Sequence, residues 1–301
     1  MKQTLALLLS LVLLGSLLCA CGQEEETTWD PIWTENFFLA AESQGAVSEN
    51  AKDLRENVNA TAEFPDLTLT VGQTLSDSRL LYIPLEITFP KDVDLSQFLS
   101  ETRGQPSDYP MPEEISLVLA TPEELAQTPN LSMNPFGRPS ISVIEADLQK
   151  NSVTYFVSYE NDTTSLSNRD VTLTLTNLSV TRDDKETPLA QGDYQVSWTT
   201  GSHDLLKEFP IRNAAGEDVG HLALSPLGLW VELRQTTCTD AQELSHSTTL
   251  LQADGTQVPL SGDCGSGMKS DGTMEIHWTF ALLLDLDSID KVLVGEYEIN
   301  L

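Results

Sequence analysis

The chain has 301 residues, with 46 acidic against 16 basic side chains and a formal net charge of −30. A surface of that sign repels nucleic acid and anionic headgroups, so it excludes nucleic-acid binding and polybasic attachment to membranes. Apolar residues are 40% of the chain, and their regular strand-like spacing excludes a globally disordered polypeptide.

The N-terminus opens with Met1-Lys2, a minimal positive region, followed by an apolar run from Leu5 to Leu18. That run is too short and too early for a comfortable membrane span and has the form of a secretion signal. Leu18-Cys19-Ala20-Cys21 closes it. These four residues resemble the lipobox of bacterial lipoproteins, in which the last cysteine receives diacylglycerol and becomes the new N-terminus. The resemblance implies a signal peptide over 1–20, lipid attachment at Cys21, and a location on the extracytoplasmic face of the cell membrane. Acyl chains contribute roughly 0.8 kcal/mol per buried CH₂, so a multiply acylated cysteine holds a soluble body durably on a bilayer. Cys19 leaves with the signal and Cys21 is alkylated, which leaves Cys238 and Cys264 as the thiols of an oxidising compartment. They are expected to pair, closing a loop worth about 3 kcal/mol through the unfolded state.

Residues 21–59 are read as a tether and a helix. Gly22 to Thr34 is polar and acid-rich, while from Glu35 to Asn59 the positions Ala40, Val47 and Leu54 recur every seven residues with Ala51 and Val58 on the same side. At Phe64 the period drops to two. Leu67, Leu69 and Val71 form one alternating set and Leu81, Ile83, Leu85, Ile87 and Phe89 the next, with Tyr82, Glu86 and Thr88 on the other face and a turn at Asp77-Ser78. Pro84 lacks an N–H, so its strand is expected at a sheet edge or with a local break.

Pro90 to Pro139 holds eight of the fifteen prolines and interrupts the meander. Thr121-Pro122-Glu123-Glu124 within it has the form of a helix start. A long insertion in a small sandwich is where a binding surface on this half would be sought. Strands resume at Ser140–Asp147, at Val153 to Tyr159 and at Val171 to Val180, where a slip of parity near Thr176-Asn177 predicts a β-bulge. Asp183-Asp184 is read as a turn, and Tyr194, Val196 and Trp198 close the set.

Gly201 to Phe209 is read as a link. Beyond it come Leu222 to Leu224, a break at Ser225-Pro226, then Leu227, Leu229, Val231 and Leu233. A hairpin follows around Asp254-Gly255, then the long alternation from Met274 to Leu284, and a last strand from Val292 to Leu301. Strands about ten residues apart without long intervening helices predict an all-β chain of two antiparallel, immunoglobulin-like β-sandwich domains, over 60–205 and 206–301.

Asn59-Ala60-Thr61 leading into Leu67-Thr68-Leu69-Thr70-Val71, then Leu75-Ser76-Asp77-Ser78-Arg79-Leu80-Leu81-Tyr82-Ile83, resembles the opening of a domain of unknown function found in the extracytoplasmic part of anti-sigma-factor-like proteins of Gram-positive bacteria. Leu224-Ser225-Pro226-Leu227-Gly228-Leu229, the Asp254-Gly255 hairpin and Asp285-Leu286-Asp287-Ser288-Ile289-Asp290-Lys291-Val292 are similar to its companion immunoglobulin-like domain. The resemblance implies a fold. It transfers no catalytic or ligand residues, and nothing in this chain is read as reaching the cytoplasm.

Gly262-Asp263-Cys264-Gly265 imitates the tight glycine turn that presents a protease nucleophile, but the histidines His203, His221 and His246 are too near it in sequence for two flanking barrels. His277 falls on the strand face opposite Trp278 and Phe280 and is read as solvated. Asp285, Asp287 and Asp290 lack the glycine and terminal glutamate of a known calcium loop, and no zinc spacing occurs, so no metal and no cofactor is expected. The Asn59, Asn130, Asn161 and Asn177 sequons are given no meaning. The expectation is a non-enzymatic binding or sensory lipoprotein whose partner is another envelope protein or the cell wall. Its rivals are a solute-binding lipoprotein of a transporter and an envelope hydrolase, which need a wound α/β cleft or convergent acids.

Overall fold

A computed structural model describes residues 54–99, 109–120, 139–161, 165–182, 185–201, 205–234, 236–260, 262–280 and 283–301. The expected signal, Cys21, the tether and the helix start at Thr121 lie outside these residues. The described chain is nearly all β, in antiparallel sheets.

In chain order the strands are β1 (Arg55–Glu63), β2 (Thr68–Ser76), β3 (Leu80–Thr88), β4 (Met111–Ala120), β5 (Ser140–Asp147), β6 (Ser152–Glu160), β7 (Asp170–Arg182) and β8 (Lys185–Thr199). They form one sheet ordered β1-β2-β3-β6-β5 and a second ordered β4-β7-β8. The rest of the chain gives β9 (Lys207–Arg212), β10 (Asp218–Leu224), β11 (Gly228–Leu233), a short helix α1 (Ala241–His246), β12 (Thr249–Gln252), β13 (Gln257–Val258), β14 (Gly262–Met268), β15 (Met274–Phe280), β16 (Ile289–Val294) and β17 (Tyr297–Asn300). These make a sheet ordered β14-β15-β11-β10-β9 and another ordered β13-β12-β16-β17.

Each pair of sheets shares one apolar core. Leu69 and Val71 of β2, Ile83 and Leu85 of β3, and Val153, Tyr155 and Val157 of β6 meet Leu117, Leu173, Leu175, Tyr194 and Val196 of the facing sheet. In the other pair Leu222, Leu224, Leu229, Val231 and Ile276 meet Leu250, Ile289, Val292 and Val294. Full burial of such a side chain is worth about 1.5–3 kcal/mol, and the period-two spacing delivers one at every second position.

The helix expected up to Asn59 is overturned at its C-terminal end, where β1 pairs with β2 from Arg55 onward. Val58, Ala60 and Ala62 pack on the core at period two. A spacing of four between Leu54 and Val58 fits both a helix turn and two strand repeats, and pairing with β2 decides between them. The link expected to reach Phe209 also ends earlier, since β9 begins at Lys207 and Phe209 pairs with Leu222. The last strand is a hairpin, turning at Gly295, where φ is +57°.

Pro84 lies in an interior strand and takes the second of the two options open to it. Pairing of β2 with β3 lapses between Val71↔Leu85 and Leu75↔Tyr82, so Ile83 and Pro84 have no ladder partner on that side. The bulge expected near Thr176-Asn177 is present: the β7–β8 register shifts between Thr176 and Leu178, and Asn177 adopts φ +47°. The proline-rich stretch contributes a ten-residue strand, β4, paired along its length with β7.

The entry to that stretch is pinned by one side chain. The Asn151 amide shares its donors among the carbonyls of Phe89 at 3.1 Å, Pro90 at 3.0 Å and Val93 at 2.7 Å. Its Oδ1 accepts from Leu95 N at 3.3 Å. Its backbone stands at φ +58°, where asparagine is among the few tolerated residues. Asn151→Ala leaves partly buried carbonyls unpaired and strains the turn. Urea unfolding should show a loss of about 1–3 kcal/mol, with faster proteolytic cleavage between residues 89 and 99; unchanged stability and cleavage would refute the clamp.

Candidate functional site

The two sheet pairs meet at a seam made by two tight turns placed back to back. In the first, Asp77 N–H donates to Leu80 O at 2.9 Å, and Asp77 Oδ1 accepts from Arg79 N and Leu80 N, both at 2.7 Å. In the second, Ser225 N–H donates to Gly228 O at 2.8 Å, and Ser225 Oγ accepts from Leu227 N at 3.1 Å and Gly228 N at 3.0 Å. Asx and Ser side chains stabilise turns in this local way. Here the two side chains also reach each other: Ser225 Oγ donates to Asp77 Oδ2 across the seam. Asp77 is 1% and Ser225 0% exposed. Burial pushes the Asp77 carboxyl above its ordinary range, against the hydrogen bonds from Ser225, Leu80 and Arg79 that favour its charged form.

Apolar side chains surround the pair. Leu75, Leu80 and Tyr82, which point away from the first core, meet Ala223, Leu227, Trp230 and Leu283, with Phe156, Leu205 and Leu206 partly covered beside them. Gly228 is required by this approach: a Cβ there would lie 2.7 Å from the Trp230 ring and from Trp278 O, and 3.0 Å from Leu80 Cδ1.

On the outer rim of the seam, Trp230 Nε1 donates to Glu160 Oε1, and the Arg79 guanidinium lies 5.2 Å over the Trp230 ring. Arg79 also reaches Glu208 at 3.4 Å. His277 Nε2 is 3.9 Å from Glu160 Oε2, and His221 Nε2 is 4.0 Å from Glu208 Oε2. Cross-strand pairing explains the gathering. One row of this sheet face runs Glu208, Ala223, Trp230, His277, Gly265, and the next runs Pro210, His221, Glu232, Glu275, Gly267. Lys269 lies between Glu232 and Glu275, and those carboxylates push its ammonium up to about 12. His277, expected to be solvated, is thus half-exposed and beside a carboxylate of the other sheet pair.

The expected Cys238–Cys264 disulfide is not formed in the structure, where both are free thiols. Each lies against a different serine near the C-terminal end of α1. Cys238 Sγ lies 3.6 Å from Ser247 Oγ, near the turn at Gly295, whereas Cys264 Sγ lies 3.1 Å from Ser245 Oγ. The glycine turn expected at Cys264 is a regular strand, β14. Adjacent strand residues point to opposite faces, and a Cβ on Gly265 would meet the His277 ring at 2.1 Å. The imidazole therefore covers the face away from the Cys264 thiol, which turns toward α1, and the two do not make a nucleophile and base. Asp285 caps a 3₁₀ turn by accepting from Asp287 N at 3.1 Å, and Asp287 is 3.8 Å from Lys207. Among the described residues no group of three potential ligands gathers for a metal ion, and no helix is long and apolar enough to cross a membrane.

Sequence reasoning missed the seam because its parts sit about 150 residues apart. A local signal existed at α1: Thr239-Asp240 followed by Glu243 is a capping box, with Asp240 Oδ1 accepting from Glu243 N at 2.8 Å and Glu243 accepting from Thr239 N at 2.6 Å.

No protein-family model matches the chain, and a search of curated proteins returns no match. Among solved structures it is similar to one described as "The crystal structure of the conserved domain protein from Bacillus anthracis". The identity is 16% and the TM-score 0.48, over 81% of this chain and 77% of that one. At that level the likeness identifies neither a family nor an activity.

Two measurements test this geometry. For an acid whose folded pKa is raised, the folded state binds the proton more tightly, so its contribution to stability is greatest below the unfolded value near about 3.9 and falls as pH rises through the folded value. Unfolding free energies of wild type and Asp77→Asn, followed by urea titration, should diverge in that direction: wild type loses stability relative to the variant as pH climbs above the ordinary carboxylate range. A pH-independent difference would contradict the buried carboxyl. Separately, Cys264, being exposed, should alkylate faster than the partly buried Cys238 in the native protein; peptide mapping that finds neither thiol reactive and both in one bridge would restore the disulfide.

Proposed function

We propose that the chain is a lipid-anchored, extracytoplasmic binding module of a bacterial envelope, without catalytic activity. It consists of two immunoglobulin-like β-sandwich domains, over 60–205 and 206–301, as the resemblance to the extracytoplasmic part of anti-sigma-factor-like proteins implies. The lipobox-like Leu18 to Cys21 supplies the anchor, and the ligand is another envelope component, a protein or the cell wall.

The observation that carries this reading is the seam. A buried Asp77–Ser225 hydrogen bond, a shared apolar cluster and the Trp230–Glu160 bond hold two sheet pairs in one arrangement. A fixed joint between layers presents a continuous surface to a partner without the entropy that a loose joint would lose on binding. The most deeply buried carboxyl is engaged by structural donors, and the thiol and imidazole of neighbouring strands face apart. The envelope-hydrolase rival gains no support from these residues, and neither sheet pair has the strand-helix alternation of the transporter-type rival.

The anchor and the partner are tested together. Cys21→Ala should move the protein from the membrane fraction to the medium, while wild type carries an acylated N-terminal cysteine by mass spectrometry. Photocrosslinking of the wild type in intact envelopes should then capture a reproducible partner. A Cys21→Ala protein that stays membrane-bound, or envelopes that yield no partner, would count against the respective half of the reading.

A further inference from the structure

Sheets of natural proteins protect their edges, because a row of unpaired backbone N–H and C=O groups will pair with any extended chain. Among the described residues the four sheets have eight edges, and seven of them are protected. β1 and β5 carry register shifts between Asn57 and Ala60 and between Val143 and Glu145. β4 has Pro112 with Glu113 and Glu114, β8 has Pro188 beside two register shifts, and β9 has Pro210 along with Lys207, Glu208 and Arg212. β13 is two residues long and β17 four. Among the described residues the eighth, β14, pairs with β15 alone over seven consecutive residues, Gly262 to Met268, with no shift and no proline and with Asp263 as its one charge.

The composition of β14 has a second effect. Gly265 and Gly267 lie on the seam-side face of the sheet and offer no side chain there, and a Cβ at Gly267 would meet nothing within 4 Å. A strand added outside β14 would stand about 10 Å from β15, two strand spacings away. A side chain of that strand opposite Gly267 lies across the open glycine toward Glu275, and beyond it Glu232, whereas the space over Gly265 is taken by the His277 ring. Lys269 already shows the chemistry: an ammonium from the hairpin next to Gly267 bridges Glu232 and Glu275.

We propose that the β14 edge is a docking site for an extended polypeptide segment carrying lysine or arginine at alternate positions, added as a sixth strand with a basic side chain laid over Gly267 toward Glu275. Backbone pairing supplies affinity and the alternate side chains supply selection, as in other strand-addition complexes. Charge complementarity fixes the occupant: the face holds Glu208, Glu232 and Glu275, with Glu160 of the other sheet pair beside His277, and the whole chain stands at −30. This makes a second copy of the chain a poor partner. The inference rests on the binding-module reading and names the partner's chemistry.

The test uses the mature full-length chain and a synthetic peptide alternating lysine with threonine, with a glutamate–threonine peptide of equal length beside it. Hydrogen exchange should show the outward-facing amides of residues 262–268, those not bonded to β15, exchanging readily in the free protein and protected by the lysine peptide only. Gly267→Lys, which places a like charge where space is open, should weaken that binding at least about tenfold, and Glu275→Gln several-fold. Thr181→Lys, the same charge change on the other sheet pair, should leave it unaltered.

Equal binding by wild type and Gly267→Lys would mean nonspecific attraction to an acidic surface and would overturn the site. So would outward-facing amides of β14 already protected in the free monomer, which would assign the edge to a segment of this chain. A concentration-dependent dimer crosslinked through Cys264 would assign it to a second copy and equally refute the proposal. If Gly267→Lys captures the same envelope partners as wild type, the edge inference fails while the binding-module reading stands.

Discussion

The structure depends on a hydrogen bond between two side chains that each already have a local task. Asp77 closes one turn, Ser225 closes another, and the bond from Ser225 to Asp77 joins the turns with both side chains out of contact with water. Removing a carboxyl from water is costly unless every lone pair is engaged. Here the donors are two backbone amides and a hydroxyl whose own acceptor capacity is filled by Leu227 and Gly228. The arrangement is therefore conditional on contact. Were the sheet pairs to separate, the Asp77 carboxyl would lose Ser225, and the apolar group from Leu75 to Trp230 would face water together. The seam closes as a unit because each of its parts is covered by the others.

The same seam explains where the strands were legible in the sequence and where they were not. β7 and β8 bury one face, so alternation shows in the residues themselves, and the bulge at Asn177 shows as a slip in parity. β3 and β11 bury both faces at the seam. In β3, Leu81 and Ile83 enter the core while Leu80 and Tyr82 enter the seam; in β11, Leu229 and Val231 enter the core while Trp230 enters the seam. Alternation places Tyr82 and Trp230 toward solvent, and only the second sheet pair, far along the chain, covers them. Nothing local in either strand records that partner.

Other misreadings have equally definite causes. Leu54 and Val58 satisfy a helical and a strand period at once, and β1 exists because β2 offers it a ladder. The strand β14 is invisible to propensity, since Gly262, Gly265, Ser266 and Gly267 are poor strand formers whose usual meaning is a turn. It is held by complete pairing with β15, the more strongly alternating partner. The glycines that made this stretch look like a nucleophile's turn are the ones that let the His277 ring lie over the sheet. Pairing of the two thiols followed from counting, and counting carries no geometry: in the structure Cys238 lies against Ser247 and Cys264 against Ser245.

Charge ties these features together. Among the described residues several cations lie where they neutralise acids fixed by the fold: Lys269 at Glu232 and Glu275, Arg79 at Glu208, Arg212 at Asp218, Lys291 at Glu298. Exposed pairs of this kind contribute about 0–1 kcal/mol each, so they organise side chains more than they stabilise the fold. With 46 acids and 16 bases, most of the negative charge is left over, and it is a property of the molecule as a whole. A surface of uniform sign keeps copies apart in solution. Bulges, prolines and short strands guard individual edges against any chain, while net charge guards against other copies of the same chain and against acidic strangers. An edge such as β14, lacking the local devices, is shielded by the second means alone, and that shield is selective by sign.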